Sequence, residues 1–174
     1  MPNLGEWKPL EKYIFSILDA VEFDCGATHI EIMLTDAGPR LIEINPRLVG
    51  AKLGRLIGHS LKRSIHSALI DLHLGIWPLQ DLVQQDLQPA VSRWLTATTL
   101  CKLDHVRLPE WTHEGVKGFE ILSKPGDQIS FPFENSQRIG YVMTSCKSRQ
   151  DAETLAEQFI ADCHLVTDMD LQSS

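Results

Sequence analysis

The chain has 174 residues, of which 43% are apolar, so it is long enough for one domain or for a domain with a small additional lobe. Lysine and arginine total 16, and aspartate and glutamate total 23, which gives a net charge of −7. An acidic chain without a basic stripe is repelled by phosphate backbones, so nucleic acid is excluded as an expected partner.

The first elements that the sequence predicts are a helix and a β-hairpin. Pro9 is typical of a first helical turn, and apolar side chains then repeat at helical spacing up to Val21. Residues 27–35 and 41–45 alternate in polarity as strands do, and residues 36–39 between them are typical of a turn. The pattern therefore predicts a helix followed by two antiparallel strands.

A second helix is predicted over residues 53–74, with Gly75 at its end. His59, His66 and His73 recur along it at intervals of seven residues, which places them two helical turns apart. One metal ion does not easily take several ligands at that separation. We therefore interpret these histidines as residues of the helix surface.

The second half of the chain has a different character. Residues 77–90 form a predicted linker with two prolines and many glutamines. Short strand patterns follow at residues 91–103, 115–123, 128–133 and 138–146. A last helix is expected from about Ser148, and the polar tail from Thr167 is expected to be frayed. We predict a small antiparallel sheet with this helix packed on it, burying three of its side chains: Leu155, Phe159 and Ile160.

The four cysteines and the hydropathy pattern predict a reduced, cytoplasmic chain. The cysteines are scattered without a Cys-x-x-Cys pair, which argues against a disulfide framework and against a zinc ribbon. The N-terminus has no basic region followed by an apolar one, and no apolar run is long enough to cross a bilayer. No membrane partner is therefore expected.

The predicted hairpin brings oxygen-bearing side chains together. If its turn centres on Ala37, Glu31 lies opposite Glu43. His29 then lies opposite Asn45, beside the same patch. Two opposed carboxylates destabilise a sheet unless a proton or a cation lies between them, and Mg²⁺ with few protein ligands meets that need. A four-residue loop would shift the pairing and remove this facing, and two solvated glutamates are the alternative interpretation.

Two segments of this hairpin resemble the ATP-grasp superfamily. They are Gly26-Ala27-Thr28-His29-Ile30-Glu31-Ile32 and Gly38-Pro39-Arg40-Leu41-Ile42-Glu43-Ile44-Asn45-Pro46-Arg47. The combination is most similar to the branch that contains biotin carboxylase, carbamoyl-phosphate synthetase and the amino-acid ligases. The resemblance implies an α+β fold, namely the C-terminal half of an ATP-grasp fold followed by a small antiparallel β lobe with a terminal helix.

The same resemblance implies the cofactors and the residues that bind them. In the family, a glutamate of the first strand and the glutamate and asparagine of the second hold two Mg²⁺ ions against the ATP phosphates. This implies Glu31, Glu43 and Asn45 as ligands of the metal and of Mg-ATP, with Mn²⁺ as an alternative ion. The arginine after the proline, Arg47, is implied to contact phosphate or the reacting carboxylate, which makes it the implied catalytic residue.

A loop that contains glycine leads from Arg47 into the second helix. In the amino-acid ligases a loop at this place resembles a seat for a substrate carboxylate, which implies Gly50, Lys52 and Arg55 as substrate residues. Backbone N–H groups at a helix N-terminus suit an anion. The alternative interpretation is an ordinary strand-to-helix connection in which Lys52 and Arg55 are solvated.

The resemblance implies a part of an ATP-dependent ligase that joins a carboxylate, activated as an acyl phosphate, to an amine through a C–N bond. The flap, lysines and adenine hinge of the other ATP-grasp lobe do not precede Pro9. That lobe, in cis or in trans, is therefore an expected partner, and the isolated chain is expected to be inactive. The predicted parts are 1–76, the end of the ATP-binding domain; 77–90, a linker; 91–166, a small α+β lobe; and 167–174, a disordered tail.

Two other functions remain open at this point. In one, the chain is a non-catalytic partner or truncated half that needs another polypeptide for ATP chemistry. In the other, it is part of a carboxylase that activates carbon dioxide, which differs from the ligase only in substrate. A homo-oligomer is compatible with each of them.

Overall fold

The computed structural model describes residues 7–50, 52–77, 87–130 and 138–171, so most of the predicted linker lies outside the described residues. Contacts between Cα atoms divide the chain into two compact units. The first unit comprises residues 1–54 and 66–80, and the second comprises residues 55–65 and 81–174. Helices and antiparallel strands occur in both units, which confirms the predicted α+β class.

The described elements form one hairpin and two three-stranded sheets with helices between them. They are α1 (Trp7–Ala20), β1 (His29–Thr35), β2 (Gly38–Asn45), α2 (Leu53–Leu61), α3 (Ile65–His73), β3 (Ala90–Leu95), β4 (Cys101–Arg107), β5 (Val116–Ile121), β6 (Gln128–Ile129), β7 (Gly140–Ser145), α4 (Arg149–Ala161), β8 (His164–Thr167) and α5 (Asp168–Leu171). β1 pairs with β2, one sheet has the order β3-β7-β5, and the other has the order β6-β4-β8. Within the described ranges, no helix is long and apolar enough to span a membrane.

The single helix predicted over residues 53–74 is in fact two helices, α2 and α3. Lys62 has a φ of 53° after the end of α2. The N–H of Lys62 donates to the carbonyl of His59, and the N–H of Arg63 donates to the carbonyl of Gly58. These two bonds form a Schellman motif, which usually has glycine at the residue with positive φ. Lysine occupies that position here instead of glycine. The sequence therefore lacks the glycine that usually indicates the end of a helix, and the apolar pattern continues across the break.

The second unit contains most of the buried core. Every residue of β7 is buried, and β3 and β5 pair with it on either side. α4 packs on this sheet and begins after Ser148, whose hydroxyl accepts a hydrogen bond from the N–H of Asp151. Leu155 and Phe159 are buried, and Ile160 is partly buried against the same core. The predicted packing of this helix on an antiparallel sheet is therefore confirmed.

Two features of the second unit differ from the prediction. The strands form two sheets instead of one, because β4 pairs with β6 and β8 and not with its sequence neighbours. The segment expected to be a frayed tail contains the end of β8 and all of α5. The side chain of Asp170 accepts hydrogen bonds from the N–H and the hydroxyl of Thr167, and these bonds lower the pKa of Asp170 below its ordinary value.

Candidate functional site

The turn of the hairpin is tighter than the sequence suggests. Residues 36–37 alone separate the paired residues Thr35 and Gly38, and Gly38 has a φ of 98°, a region that favours glycine. A two-residue turn followed by a regular ladder would place Glu31 opposite Ile42. The turn by itself would therefore remove the predicted facing of the two glutamates.

A β-bulge in β2 restores that facing. Ile32 pairs with Leu41, whereas the next pair is Glu31 with Glu43, so Ile42 is an extra residue without a partner in the ladder. A bulge of one residue moves every later side chain of the strand to the other face of the hairpin. The predicted pairing of Glu31 with Glu43 is confirmed, although the predicted turn was one residue too long.

Four polar side chains consequently share one face of the hairpin. His29 pairs with Asn45, two residues along from the pair of glutamates. The side chain of Glu31 is 50% exposed and that of His29 is 27% exposed. His29 Nε2 lies 3.9 Å from Glu31 Oε1, which is within reach of an ion pair but too long for a hydrogen bond.

Two atoms of this patch are buried without a hydrogen-bond partner. They are Nδ1 of His29 and Nδ2 of Asn45. The backbone carbonyl of Asn45, by contrast, accepts bonds from the hydroxyl of Thr28 at 3.0 Å and from the N–H of Arg47 at 2.8 Å. The backbone of Asn45 is thus fixed, whereas its amide group is not. Sequence reasoning placed His29 beside the patch but assigned it no role.

Arg47 lies over the loop that follows the hairpin. Its Nη1 donates to the carbonyl of Leu48 at 3.1 Å. The same nitrogen is 3.8 Å from the position that a Cβ on Gly50 would occupy. The structure therefore brings together Arg47 and Gly50, the catalytic residue and one of the substrate residues that the resemblance implied.

The other two implied substrate residues lie at the start of α2. Lys52 has a φ of 66° immediately before the helix and is half-buried. Arg55 is exposed and belongs to the second compact unit, with the segment 55–65. The first compact unit thus contains the glutamate pair, Arg47 and the loop up to Lys52.

A cleft of about 690 Å³ in the second unit contains none of the predicted site residues. Its lining includes Gly115, Cys146 and the α4 residue Leu155. A Cβ on Gly115 would lie 2.7 Å from Cδ2 of Leu155 and 2.8 Å from the sulfur of Cys146, so a larger residue there would require these side chains to shift. Burial raises the pKa of the Cys146 thiol, and nearby Asp151 raises it further, so the thiol is not a reactive thiolate at neutral pH.

Comparison with known proteins identifies the fold. Residues 93–168 match the family model of L-amino acid ligase C-terminal domain 2. The structure of L-amino acid ligase from Bacillus licheniformis aligns with 95% of this chain and 44% of its own, at a TM-score of 0.78 and 15% identity. Phosphoribosylglycinamide synthetase from Anaerococcus prevotii aligns with 89% of this chain and 40% of its own, at a TM-score of 0.78 and 13% identity. The chain has the fold of the C-terminal part of an ATP-grasp ligase.

Two further proteins are similar to this chain. Biotin carboxylase from Campylobacter jejuni, solved as a β,γ-ATP complex, aligns with 95% of this chain and 37% of its own, at a TM-score of 0.66 and 15% identity. The uncharacterized protein y4rH of Sinorhizobium fredii is 28% identical over 150 residues, which are 82% of this chain and 30% of that protein. The chain spans less than half the length of each of these relatives.

The ATP-grasp hairpin offers donors that fit a hard divalent cation. Glu31, Glu43 and Asn45 present carboxylate and amide oxygens, which Mg²⁺ and Mn²⁺ prefer. The amide nitrogen of Asn45 has no hydrogen-bond partner, so no bond at that nitrogen fixes which amide atom faces the patch. Across the described ranges, no three His, Cys, Asp or Glu side chains converge as a complete metal site. An ion that keeps phosphate and water ligands needs fewer protein ligands than a complete site offers.

Proposed function

We propose that this chain is the C-terminal part of an ATP-dependent carboxylate–amine ligase of the amino-acid type. The observation that carries the proposal is the facing of Glu31 and Glu43, with Asn45 in the same row. A bulge maintains this facing against a turn that would otherwise remove it. Opposed carboxylates are unfavourable in a sheet that binds nothing between them. The match of residues 93–168 to an L-amino acid ligase domain supports the choice of an amine acceptor.

In this proposal, Glu31, Glu43 and Asn45 hold the Mg²⁺ of Mg-ATP, with Mn²⁺ as a substitute. The bound ion supplies charge neutralisation at the phosphate oxygens, which phosphoryl transfer needs more than it needs a covalent group on the protein. The two glutamates provide the negative charge that retains the ion. Asn45 provides an oxygen without adding charge, which limits the repulsion of the phosphates.

Arg47 binds the transferred phosphate or the reacting carboxylate. A guanidinium has five N–H donors, and Arg47 uses one nitrogen for the carbonyl of Leu48, which leaves donors for a bidentate contact. Gly50 has no side chain beside Nη1, and Gly50 and Lys52 form the proposed seat of the substrate carboxylate. A carboxylate oxygen attacks the γ-phosphorus and ADP leaves; the amine nitrogen then attacks the acyl carbon, loses a proton and displaces phosphate.

The remainder of an ATP-grasp enzyme, in cis or in trans, is the proposed partner of the hairpin. A two-stranded hairpin is marginally stable by itself. Leu34 is 67% exposed and Ile42 is 58% exposed on this hairpin, so its apolar side chains are only partly covered. Further strands and the ATP-binding lobe would cover them. The isolated chain is therefore expected to bind Mg-ATP weakly and to show no turnover.

A non-catalytic half of a two-chain enzyme is the second candidate function. The chain spans between 30% and 44% of the length of the relatives above, which is compatible with either candidate. The two candidates differ in whether the hairpin residues of this chain take part in the Mg-ATP chemistry. Glu43→Gln in the complete enzyme distinguishes them, because a non-catalytic half would leave ADP release unchanged.

The test is the release of ADP by the complete enzyme, measured with Glu43→Gln and with Glu11→Gln as a matched control on the exposed side of α1. We expect Glu43→Gln to lower ADP release by about 100-fold or more, because it removes a metal-binding charge and little volume. Its circular dichroism should remain unchanged. A fully active Glu43→Gln enzyme would rule out the mechanism, and micromolar binding of Mg-ATP by the isolated chain in calorimetry would show that the chain contains more of the pocket than proposed.

A further inference from the structure

The cleft in the second unit is lined by charged side chains of both signs. Lys117 and Lys147 contribute two cations, and Glu114 and Asp151 contribute two carboxylates. Among the described residues, none of these four side chains takes part in an ion pair. The cleft has a volume of about 690 Å³, which is within the size range of small-molecule sites. The opposite charges on its walls are therefore not used to neutralise one another.

A β-bulge in β5 lies at the edge of this cleft. Val116 pairs with Thr144 and Gly118 pairs with Met143, so Lys117 is an extra residue in the strand. Bulges redirect a side chain and are frequent beside functional sites. The ammonium group of Lys117 donates to the carbonyl of Glu114 at 2.8 Å, which restrains it and leaves two of its three donors.

The loop before β5 is held in place by its backbone. The N–H of Gly115 donates to Nδ1 of His113 at 2.9 Å, and the carbonyl of Gly115 accepts from the N–H of Ser145 at 2.8 Å. Because Nδ1 of His113 is an acceptor, the neutral imidazole has its hydrogen on Nε2, which adds a donor to the lining. A loop that is already ordered loses little conformational freedom when a ligand binds.

The charges of the cleft act on the same region of the protein. Burial raises the pKa of the Cys146 thiol, Asp151 and Glu114 raise it further, and Lys117 lowers it. The thiol thus lies within electrostatic reach of both carboxylates and of one ammonium group. Charges of both signs therefore converge around Cys146 instead of lying at opposite ends of the cleft.

We propose that this cleft binds a small zwitterion, namely an amino acid or a short peptide with free termini. Lys117 and Lys147 bind the carboxylate of the ligand, and Glu114 and Asp151 bind its ammonium group. A phosphate or a nucleotide fits less well, because the two carboxylates of the cleft would repel it. The inference concerns the second unit and does not depend on the proposed cation site of the hairpin.

The first test compares L-alanyl-L-alanine with its two capped forms by ¹H–¹⁵N NMR titration of the full chain. An N-acetyl cap removes the ammonium charge, and a C-terminal amide removes the carboxylate. Exposed ion pairs contribute little each, so we expect a dissociation constant on the order of 1 mM for the free dipeptide and about tenfold weaker binding of each capped form. The shifted signals should come from residues 113–117 and 145–147.

L-alanine, titrated in the same way, distinguishes an amino acid from a peptide as the source of the zwitterion. Saturable shifts at the cleft with either compound support the inference, and the tighter of the two identifies the class. Equal affinity of the free and the capped dipeptide would overturn it. Shifts confined to other parts of the chain, or no shift at about 50 mM of either compound, would also overturn it.

The second test combines each cap with the variant that removes the matching charge. Lys117→Gln should weaken the free dipeptide by about threefold or more and leave the amide form unaffected, because that form has no carboxylate. Glu114→Gln should do the same for the free dipeptide and the N-acetyl form. Lys124→Gln and Glu110→Gln alter exposed residues outside the cleft lining, and these controls should bind as the wild type does.

A further variant separates the loss of a charge from a disturbed loop. Lys147→Gln removes a cation whose side chain has no hydrogen bond within the described ranges, so the loop before β5 should keep its contacts. Its effect on the two capped forms should match that of Lys117→Gln. If either lysine variant weakened the amide form as much as the free dipeptide, the assignment of the charges would be wrong and the inference would fall.

Discussion

The two compact units differ in how far their own residues cover their apolar side chains. In the second unit, Ile139 and Val142 have no exposed surface, and the sheet and α4 enclose them. In the first unit, Leu34 is 67% exposed and Trp77 is 73% exposed. The hairpin pairs with no further strand among the described residues, whereas β7 has a strand on each side.

This difference indicates which part can be stable by itself. Burial of apolar surface is the main favourable term in folding, so the second unit supplies its own stability. The candidate cation ligands lie in the first unit, whose apolar side chains are less covered than those of the second. A candidate site on such a hairpin is expected to become more rigid when another element packs against it.

The largest expected effect comes from the same substitution made in each unit. Leu103 is 2% exposed in the core of the second unit, and Leu103→Ala should lower the free energy of unfolding by about 2–5 kcal/mol. Leu34→Ala on the hairpin should change it by less than about 0.5 kcal/mol. Urea denaturation followed by tryptophan fluorescence measures both. An equal cost for Leu34→Ala would mean that the chain itself covers the hairpin.

A smaller effect is expected from two glycines of the second unit. A Cβ on Gly140 would lie 2.7 Å from the backbone oxygen of Glu120, so Gly140→Ala should cost about 1–3 kcal/mol of stability. Gly118 has no atom within 4 Å of such a Cβ, and Gly118→Ala should leave stability nearly unchanged. Thermal unfolding of the two variants tests how tightly β5 and β7 are packed. Similar melting temperatures would contradict the close packing.

The smallest expected effect concerns two deletions in β2. Deletion of Ile42 removes the bulge and leaves Glu31 opposite Glu43, so Mn²⁺ affinity should persist. Deletion of Ile44 turns Asn45 to the opposite face from His29, and Mn²⁺ affinity should fall by about tenfold. Each variant loses one isoleucine, so the two have the same composition. A difference in Mn²⁺ affinity between them therefore reports on the strand register alone. Equal affinities would show that Asn45 takes no part in binding the ion.

The facing of the glutamates was predictable from the sequence, although one assumption behind it was wrong. Alternation around a turn centred on Ala37 predicts Glu31 opposite Glu43, and the structure has that pair. The real turn is one residue shorter, and the bulge at Ile42 adds the residue back. Neither feature has a clear sequence signal by itself, because Ile42 continues the apolar pattern of its strand.

Other features depend on contacts between distant parts of the chain or on an unusual backbone conformation. β8 has four residues and pairs with β4. Thr167 of β8 pairs with Leu103, some sixty residues earlier in the chain, so local sequence patterns could not reveal this strand pairing. The break between α2 and α3 rests on Lys62 in a conformation typical of glycine. The position of His29 beside the candidate site followed from the strand register. That its Nδ1 is buried without a hydrogen-bond partner appears only in the structure.

The assignment of residues 55–65 to the second unit has a consequence for dissecting this polypeptide. The N–H of Gln88 donates to the carbonyl of Ser60, so part of α2 contacts the chain just before β3. The flanking residues 1–54 and 66–80 belong to the first unit. The two units are therefore interleaved in sequence, and no single cut separates them. A fragment that starts at residue 93, where the family match begins, would leave this part of α2 behind.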